Sequence, residues 1–331
     1  MKIISPCRIH MGLIDMNGSV GRIDGGIGAT LDHPNCEISG KESNEIEIQF
    51  SNSIINNTPE EDLKSLHDRI YHSSKNVLKE IGQEGVYLKV NDVIPAHTGL
   101  GSGTQVSLST GKLTSSIYGY DLDAYSIAKL TGRGGTSGIG VSGFEFGGFI
   151  VDGGHSFGKS GEKTDYRPSS ASKNVKPAPL LFRHDFNWEV VLTIPKIPTE
   201  EQVSDKKEVD IFKKYCPVPE DYVNRFCRLV LMKMMPAVIE NNMESFGECI
   251  NEIQGLGFKG AEVQLQNSTL KNLLKHLQNT SYSGLSSFGP TIYSLGDKKE
   301  IMEQSKEFFD KEGLDGEIIV SKGNNTGYKL I

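Results

Sequence analysis

The feature that most constrains the fold is a glycine-rich run, Pro95-Ala96-His97-Thr98-Gly99-Leu100-Gly101-Ser102-Gly103-Thr104-Gln105, set between a strand-like stretch at 86–93 and a helical one that begins at Gln105. Glycine is common wherever a turn needs positive φ. Three glycines in five positions, with Ser102 and Thr104 beside them, exceed what a tight connection requires. A chain that turns there and opens a helix leaves backbone N–H groups unpaired at the helix's positive end, where a polyphosphate finds donors without any side-chain charge. No GK[ST] ending follows, which excludes the Walker loop, and no GxGxxG follows the first strand. After a pair of helices comes a second glycine run, Gly132-Arg133-Gly134-Gly135-Thr136-Ser137-Gly138.

With 331 residues the chain has ample material for two domains and a real core. Its formal net charge of -7 argues against a nucleic-acid binder, which needs clustered Lys and Arg, so the expected partner is a small molecule. There is no apolar run of spanning length, and Met1-Lys2-Ile3-Ile4-Ser5-Pro6 lacks a signal-peptide core, so the expectation is a cytoplasmic protein without membrane contact. The five cysteines are odd in number and contain no CxxC pair; they read as reduced, packed thiols rather than a disulfide frame or a zinc site.

Periodicity predicts a β-rich opening of forty residues, a strand over Glu45–Phe50, and a helix over Glu60–Ile81 that Gly82 stops. Helices are expected over Gln105–Tyr118 and over Asp123–Leu130, the second with Asp121 as its cap, then a strand over Phe146–Asp152. Residues 156–179 are polar and aperiodic and read as a long surface loop, a linker or lid. The boundary falls at its end, giving domains of 1–180 and 181–331. In the second half, strands are expected over Trp188–Ile194, Ile292–Leu295, Glu317–Val320 and Gly327–Ile331. Helices are expected there over Glu220–Glu240, Met243–Ile253, Ser268–Leu277 and Lys299–Lys311, an α+β pattern.

Several residues stand out chemically. Arg8 and His10 share one face of the first strand and together invite an anion, though an edge strand with a basic face would look the same. Asp24, between Ile23 and Gly25, is either a turn residue or a carboxylate for a metal or proton. Arg133 follows a helix, where a cation often caps, but its glycine neighbours also suit a bidentate anion contact. Asp152 and His155 close a strand at Val151-Asp152-Gly153-Gly154-His155 and are candidates for acid/base chemistry or Mg²⁺. A third Gly/Ser-rich turn, Ser283-Gly284-Leu285-Ser286-Ser287-Phe288-Gly289-Pro290-Thr291, reads equally as a hairpin.

In order and spacing, Pro6-Cys7-Arg8-Ile9, Pro95–Ser102 and Gly284–Pro290 resemble the three motifs of the GHMP superfamily of small-molecule kinases. The resemblance implies an N-terminal domain like ribosomal protein S5 domain 2, a ferredoxin-like C-terminal domain, and a site in the cleft between them. The kinases normally run Gly-Leu-Gly-Ser-Ser-Ala, whereas Gly103-Thr104-Gln105 follows Ser102 here. Beyond that loop, Gly132–Gly140, Phe144-Glu145 and Gly147–His155 resemble the β-ribofuranosylaminobenzene 5′-phosphate synthases, also described as β-ribofuranosylphenol 5′-phosphate synthases. That family implies condensation of phosphoribosyl diphosphate with 4-aminobenzoate or 4-hydroxybenzoate on the way to methanopterin. CO₂ and diphosphate are lost, Mg²⁺ helps, and the enzyme is a homodimer. Carried onto this chain, Thr98, Gly99, Gly101, Ser102, Gly103, Thr104 and Gln105 would bind diphosphate. Arg133 with Gly135, Thr136, Ser137 and Gly138 would take the 5-phosphate or the benzoate carboxylate, with Arg8, His10 and Ser286 on the facing walls. Arg133, Asp24, Asp152 and His155 are the expected catalytic set, and Asp24, Asp152 and Ser102 the candidate Mg²⁺ ligands. An ATP-dependent GHMP kinase, or a ligand-binding protein that has lost catalysis, are the competing readings.

Overall fold

The computed structural model describes residues 1–168, 172, 175–198 and 205–331. Eight strands form the first sheet: β1 (Lys2–Asp15), β2 (Arg22–Lys41), β3 (Ile46–Phe50), β4 (Val86–Asp92), β5 (Phe149–Asp152), β6 (His155–Ser156), β7 (Leu180–His184) and β12 (Lys329–Leu330). Four more form the second, in the order β11 (Gly316–Lys322), β8 (Glu189–Pro195), β10 (Ile292–Leu295), β9 (Tyr282–Leu285). The twenty-residue β2 organises the first sheet. It pairs antiparallel with β1, then with β4 through Glu37–Lys41 and with β5 through Ile27–Ala29. Sheet membership does not change at one point in the chain, because β7 pairs with β5 and the last strand returns to β1, Ile3 opposite Leu330.

Helices α1 (Asn52–Asn57), α2 (Glu60–Ile81), α3 (Ser102–Ile117), α4 (Ala124–Thr131) and α5 (Ile139–Phe146) belong with the first sheet. The expected α2 is present residue for residue, ending on Gly82 in the left-handed region. Its neighbour α3 is buried all round from Gln105 to Ser115 rather than along one face. Its residues are small, and some of their hydroxyls pair inside the helix and with the sheet: Ser107 Oγ donates to Gly103 O at 2.9 Å and Ser109 Oγ to Ser5 Oγ at 2.8 Å, whereas Thr110 and Thr114 Oγ1 are buried without a partner. The cap of α4 is Asp123, whose carboxylate accepts from Ser126 N at 2.7 Å, not Asp121, which pairs with Lys112. The second glycine run leads into α5, a helix the sequence pattern does not predict, so the strand expected from Phe146 starts only at Phe149.

In the second half lie α6 (Asp205–Tyr215), α7 (Glu220–Leu229), α8 (Met235–Ile239), α9 (Met243–Ile253), α10 (Gly257–Gln264), α11 (Ser268–Leu277) and α12 (Lys298–Glu312). The helix expected over Glu220–Glu240 is α7 and α8 joined through a π-helical turn at Val230–Met234, just before Pro236, which has no N–H to offer. Helices α9 and α11 match their expected bounds, and α10 is additional. Cys7, Cys36 and Cys249 are buried, Cys216 partly so, while Cys227 is exposed and not packed as expected. Among the described residues no helix is long and apolar enough to cross a membrane.

Candidate active site

The loop before α3 takes its shape from two left-handed glycines, Gly99 at φ 79° and Gly101 at φ 86°. A side chain at 99 would also strike the Ser286 carbonyl, 2.3 Å from the position of a Cβ. Gly101 is the N-cap of α3 and supplies no side-chain cap, so the first N–H groups of the helix are offered outward. Three guanidinium groups gather over this end. A Cβ on Gly101 would lie 3.1 Å from Arg8 Nε, and one on Gly103 would lie 3.1 Å from Arg69 Nη1 and 3.6 Å from Arg133 Nη2. Arg8 also donates to Gly99 O, and Arg133 Nε to Ser107 Oγ at 3.4 Å. Burial pulls the Arg8 guanidinium down to about 10, which leaves it charged at neutral pH. A helix amino end under three arginines is suited to hold an anion.

These groups face one cavity of about 690 Å³, a size suited to a small-molecule substrate. Its wall includes Arg8, His10, Gly99, Gly101, Ser102, Gly103, Thr104, Arg133, Thr136 and Ser137 from the expected set. It also includes Arg69 from α2, and Leu13, Phe212 and Phe288, which make part of it apolar. Near that part runs a buried ion pair within α10, Lys259 Nζ to Glu262 Oε2 at 2.7 Å, with Lys259 also donating to Ser287 O at 3.1 Å. Glu262 lines the cavity. Burial pulls the Lys259 ammonium below its usual range, opposed by Glu262. His10 is held well below the usual imidazole range by burial and by the charges of Arg8 and Lys259, so it is neutral, and its buried Nδ1 has no hydrogen-bond partner.

Ser286 joins the three motifs: its Oγ accepts from His10 N at 3.0 Å and donates to Gly99 O at 2.8 Å. It braces the cavity from behind and is fully buried. Thr98 turns its hydroxyl back to Pro95 O at 2.8 Å. Gln105 is also withdrawn from the wall. It is buried between helices, its Nε2 donating to Gly140 O of α5 at 2.9 Å.

The expected catalytic carboxylates lie behind the wall. Asp24, in the left-handed region at φ 71°, is fully buried and accepts from Lys163 Nζ at 2.9 and 3.2 Å while meeting His155 Nδ1 at 2.7 Å. His155 Nε2 reaches Lys176 O at 2.9 Å. Lys163 also donates to Thr136 Oγ1 at 3.3 Å, which ties this buried cluster to the cavity wall. Asp152 accepts from Gly138 N at 2.7 Å and Gly154 N at 3.0 Å, holding the start of α5 to the end of β5. Burial pushes its carboxyl up to about 6, against these backbone donors. Gly138 is the N-cap of α5, and Gly135 packs against Ser172. The 156–179 segment is not simply a surface loop, because Lys163 is buried in it; residues 169–171 and 173–174 of the expected lid lie outside the described residues.

A Mg²⁺ cage is not formed by the expected ligands. Both oxygens of Asp24 and of Asp152 are already engaged, and of the three candidates only Ser102 lines the cavity. Among the described residues no group of three or more His, Cys, Asp or Glu converges to hold a metal. The sequence reading did not single out Arg69, Lys163, Lys259 or Glu262. Only the i, i+3 spacing of Lys259 and Glu262 was a signal, and on a helix that spacing ordinarily marks a solvated pair.

Residues 68–148 match the GHMP kinases N terminal domain family. The fold is that of solved small-molecule kinases: homoserine kinase from Cytophaga hutchinsonii superposes with a TM-score of 0.68 at 15% identity, over 100% of this chain and 97% of that one. Full-length relatives carry a different name. The β-ribofuranosylphenol 5′-phosphate synthase of Methanocaldococcus jannaschii is 59% identical over 100% of both chains, and that of Methanothermobacter thermautotrophicus is 41% identical over 99% of this chain and 98% of its own. With a kinase fold, a three-arginine anion site and end-to-end identity at this level, the chain belongs to the β-ribofuranosylphenol 5′-phosphate synthase family.

Proposed function

We infer that the protein is a decarboxylating pentosyltransferase that condenses 5-phosphoribosyl 1-diphosphate with 4-aminobenzoate or 4-hydroxybenzoate. The product is a C-riboside 5′-phosphate, a precursor of methanopterin. One observation carries the reading: a single cavity is lined by Arg8, Arg69, Arg133 and the bare end of α3, gathered together, and also by Leu13, Phe212 and Phe288, which pack together. The first group suits a departing diphosphate, and the second suits an aromatic ring. As the C1–O bond breaks, negative charge grows on the diphosphate, and fixed guanidinium groups and backbone N–H groups stabilise it without reorganising. The ribosyl C1 left behind is oxocarbenium-like, so the ring must be in place and water excluded. The ring attacks through its carboxylate-bearing carbon, and loss of CO₂ restores aromaticity.

Mg²⁺ does not fit the Asp24 and Asp152 carboxylates, so no step is assigned to it; diphosphate oxygens are themselves ligands for that ion. The homodimer expected from the family is tested by the mass of the protein in solution. The reaction is tested by incubating the protein with phosphoribosyl diphosphate, Mg²⁺ and each benzoate. Equal release of CO₂ and diphosphate supports the reading. Diphosphate without CO₂ points to another acceptor, and ATP consumption with a small alcohol points to a kinase.

A further inference from the structure

The charged pair Lys259–Glu262 is an expensive thing to bury unless it has a task. Both side chains are almost fully enclosed, at 0% and 3% exposure, and Glu262 nonetheless lines the cavity. Held ion pairs of this kind give little net stability, because desolvation of the two charges offsets their attraction. The same cavity is lined by His10, a residue 6% exposed whose Nδ1 finds no partner in the protein. A buried nitrogen without a partner costs about 1–3 kcal/mol, so the His10 ring is held at the cavity wall against that cost. The apolar residues Leu13, Phe212 and Phe288 line the same cavity and supply faces for a ring.

We propose that Glu262, fixed by Lys259, accepts the proton of the ring's hydroxyl or amino substituent while His10 hydrogen-bonds the same end of the ring. This rests on the condensation inferred above. For a hydroxybenzoate, the ring carbon bearing the carboxylate forms its bond to C1 as the bond from C1 to diphosphate oxygen breaks. The hydroxyl opposite becomes the O–H of a protonated ketone and passes its proton to Glu262, leaving a dienone. The C–CO₂ bond then breaks, its electron pair returns through the ring to the ketone oxygen, and that oxygen takes the proton back from Glu262. Nothing is oxidised or reduced, and Glu262 ends as it began. A carboxylate suffices as base because an O–H on a protonated ketone is far more acidic than a carboxylic acid. Lys259 sets the orientation of the carboxylate and is a positioning residue.

The test is Glu262→Gln, which keeps the size of the side chain, assayed with 4-hydroxybenzoate and with a ring-fluorinated 4-hydroxybenzoate whose hydroxyl ionises at lower pH. For the variant, kcat with 4-hydroxybenzoate should fall about 100-fold or more, the scale of general base catalysis, with KM for phosphoribosyl diphosphate little changed. At a pH where the fluorinated acceptor is already ionised, the loss should shrink by at least about tenfold, because no proton needs removing. An equal loss with both acceptors, or no loss at all, overturns the proposal. Wild-type CO₂ and diphosphate release, measured in the same series, separates failure of this assignment from failure of the reaction itself. Circular dichroism of the variant and its unchanged KM for the diphosphate substrate exclude misfolding as the cause.

Discussion

Replacing Asp24 by Asn removes one charge from the buried cluster behind the cavity while leaving its shape. The side chain of Asp24 is fully enclosed, and that of Lys163 is 2% exposed. Asn tolerates the left-handed conformation that Asp24 holds at φ 71°, so the backbone adds no cost of its own. What changes is the partner of two donors, Lys163 Nζ at 2.9 Å and the His155 ring at 2.7 Å. Each hydrogen bond to a charged group contributes about 1.5–3 kcal/mol; the asparagine keeps one oxygen as a neutral acceptor, so the loss lies below that of both bonds together, about 3–6 kcal/mol. Breaking a buried ion pair by removing one partner costs about 3–5 kcal/mol, in agreement. After the change Lys163 would keep only neutral acceptors: the new amide oxygen, and Thr136 Oγ1 and Arg167 O at 3.3 Å each. Urea unfolding of wild type, Asp24→Asn, Lys163→Met and the double variant gives the coupling. The expected loss for Asp24→Asn is about 4 kcal/mol, with the double variant costing at least about 1 kcal/mol less than the sum of the singles. A loss below about 1 kcal/mol, or strict additivity, refutes the claim that charge pairing holds this region together.

Arg69→Ala and Arg133→Ala should each lower kcat/KM for phosphoribosyl diphosphate by about 10- to 100-fold, the range of one charge-assisted hydrogen bond, with either benzoate as partner. Unchanged turnover in Arg133→Ala would make the second glycine run purely structural. Gly101→Ala places a methyl 3.1 Å from Arg8 at φ 86°, so it should raise KM for the diphosphate substrate and cost about 1–2 kcal/mol of stability, read by steady-state kinetics and denaturation. His10, whose folded value is depressed, is neutral in the folded protein, whereas the unfolded chain takes up a proton below the ordinary imidazole value of 6.5. Its contribution is therefore present above about pH 6.5 and is lost as pH falls further, so His10→Asn should flatten the stability profile below that pH in urea titrations. A variant profile as steep as wild type would count against a neutral His10.

What the sequence made legible depended on whether a signal was local. The periodic set of Leu63, Leu66, Ile70, Val77, Leu78 and Ile81 with Gly82 behind it needs no tertiary information, and α2 has the expected bounds. By contrast α5 contains Gly140 and Gly143, which weaken a helix, and it forms because those glycines admit Thr104 and Thr30: a Cβ on them would lie 3.0 and 2.5 Å from the Thr methyl groups. Asp24, Asp152 and His155 were visible as polar residues among glycines. Their place behind the wall was not, since it depends on which residues of β2 face β5 and β6. Arg69 and Glu262 were hidden for the opposite reason: a charge on an amphipathic helix normally means solvent, and only the packing of α2 and α10 around the cavity gives these two another meaning.

The position of Ser286 has a mechanical consequence. Through its hydroxyl it is bonded to β1 and to the glycine loop; Ser287 N donates to His10 O at 2.9 Å, and Thr291 N donates to Thr98 O at 3.3 Å. Segments 187 and 276 residues apart are thus stitched into one floor beneath the cavity. A hinge cannot run along that seam without breaking four hydrogen bonds in buried or half-buried surroundings. Arg8 of β1 and the turn that carries Phe288 are therefore coupled through this floor, so a change in spacing between leaving group and ring on that side requires those bonds to break.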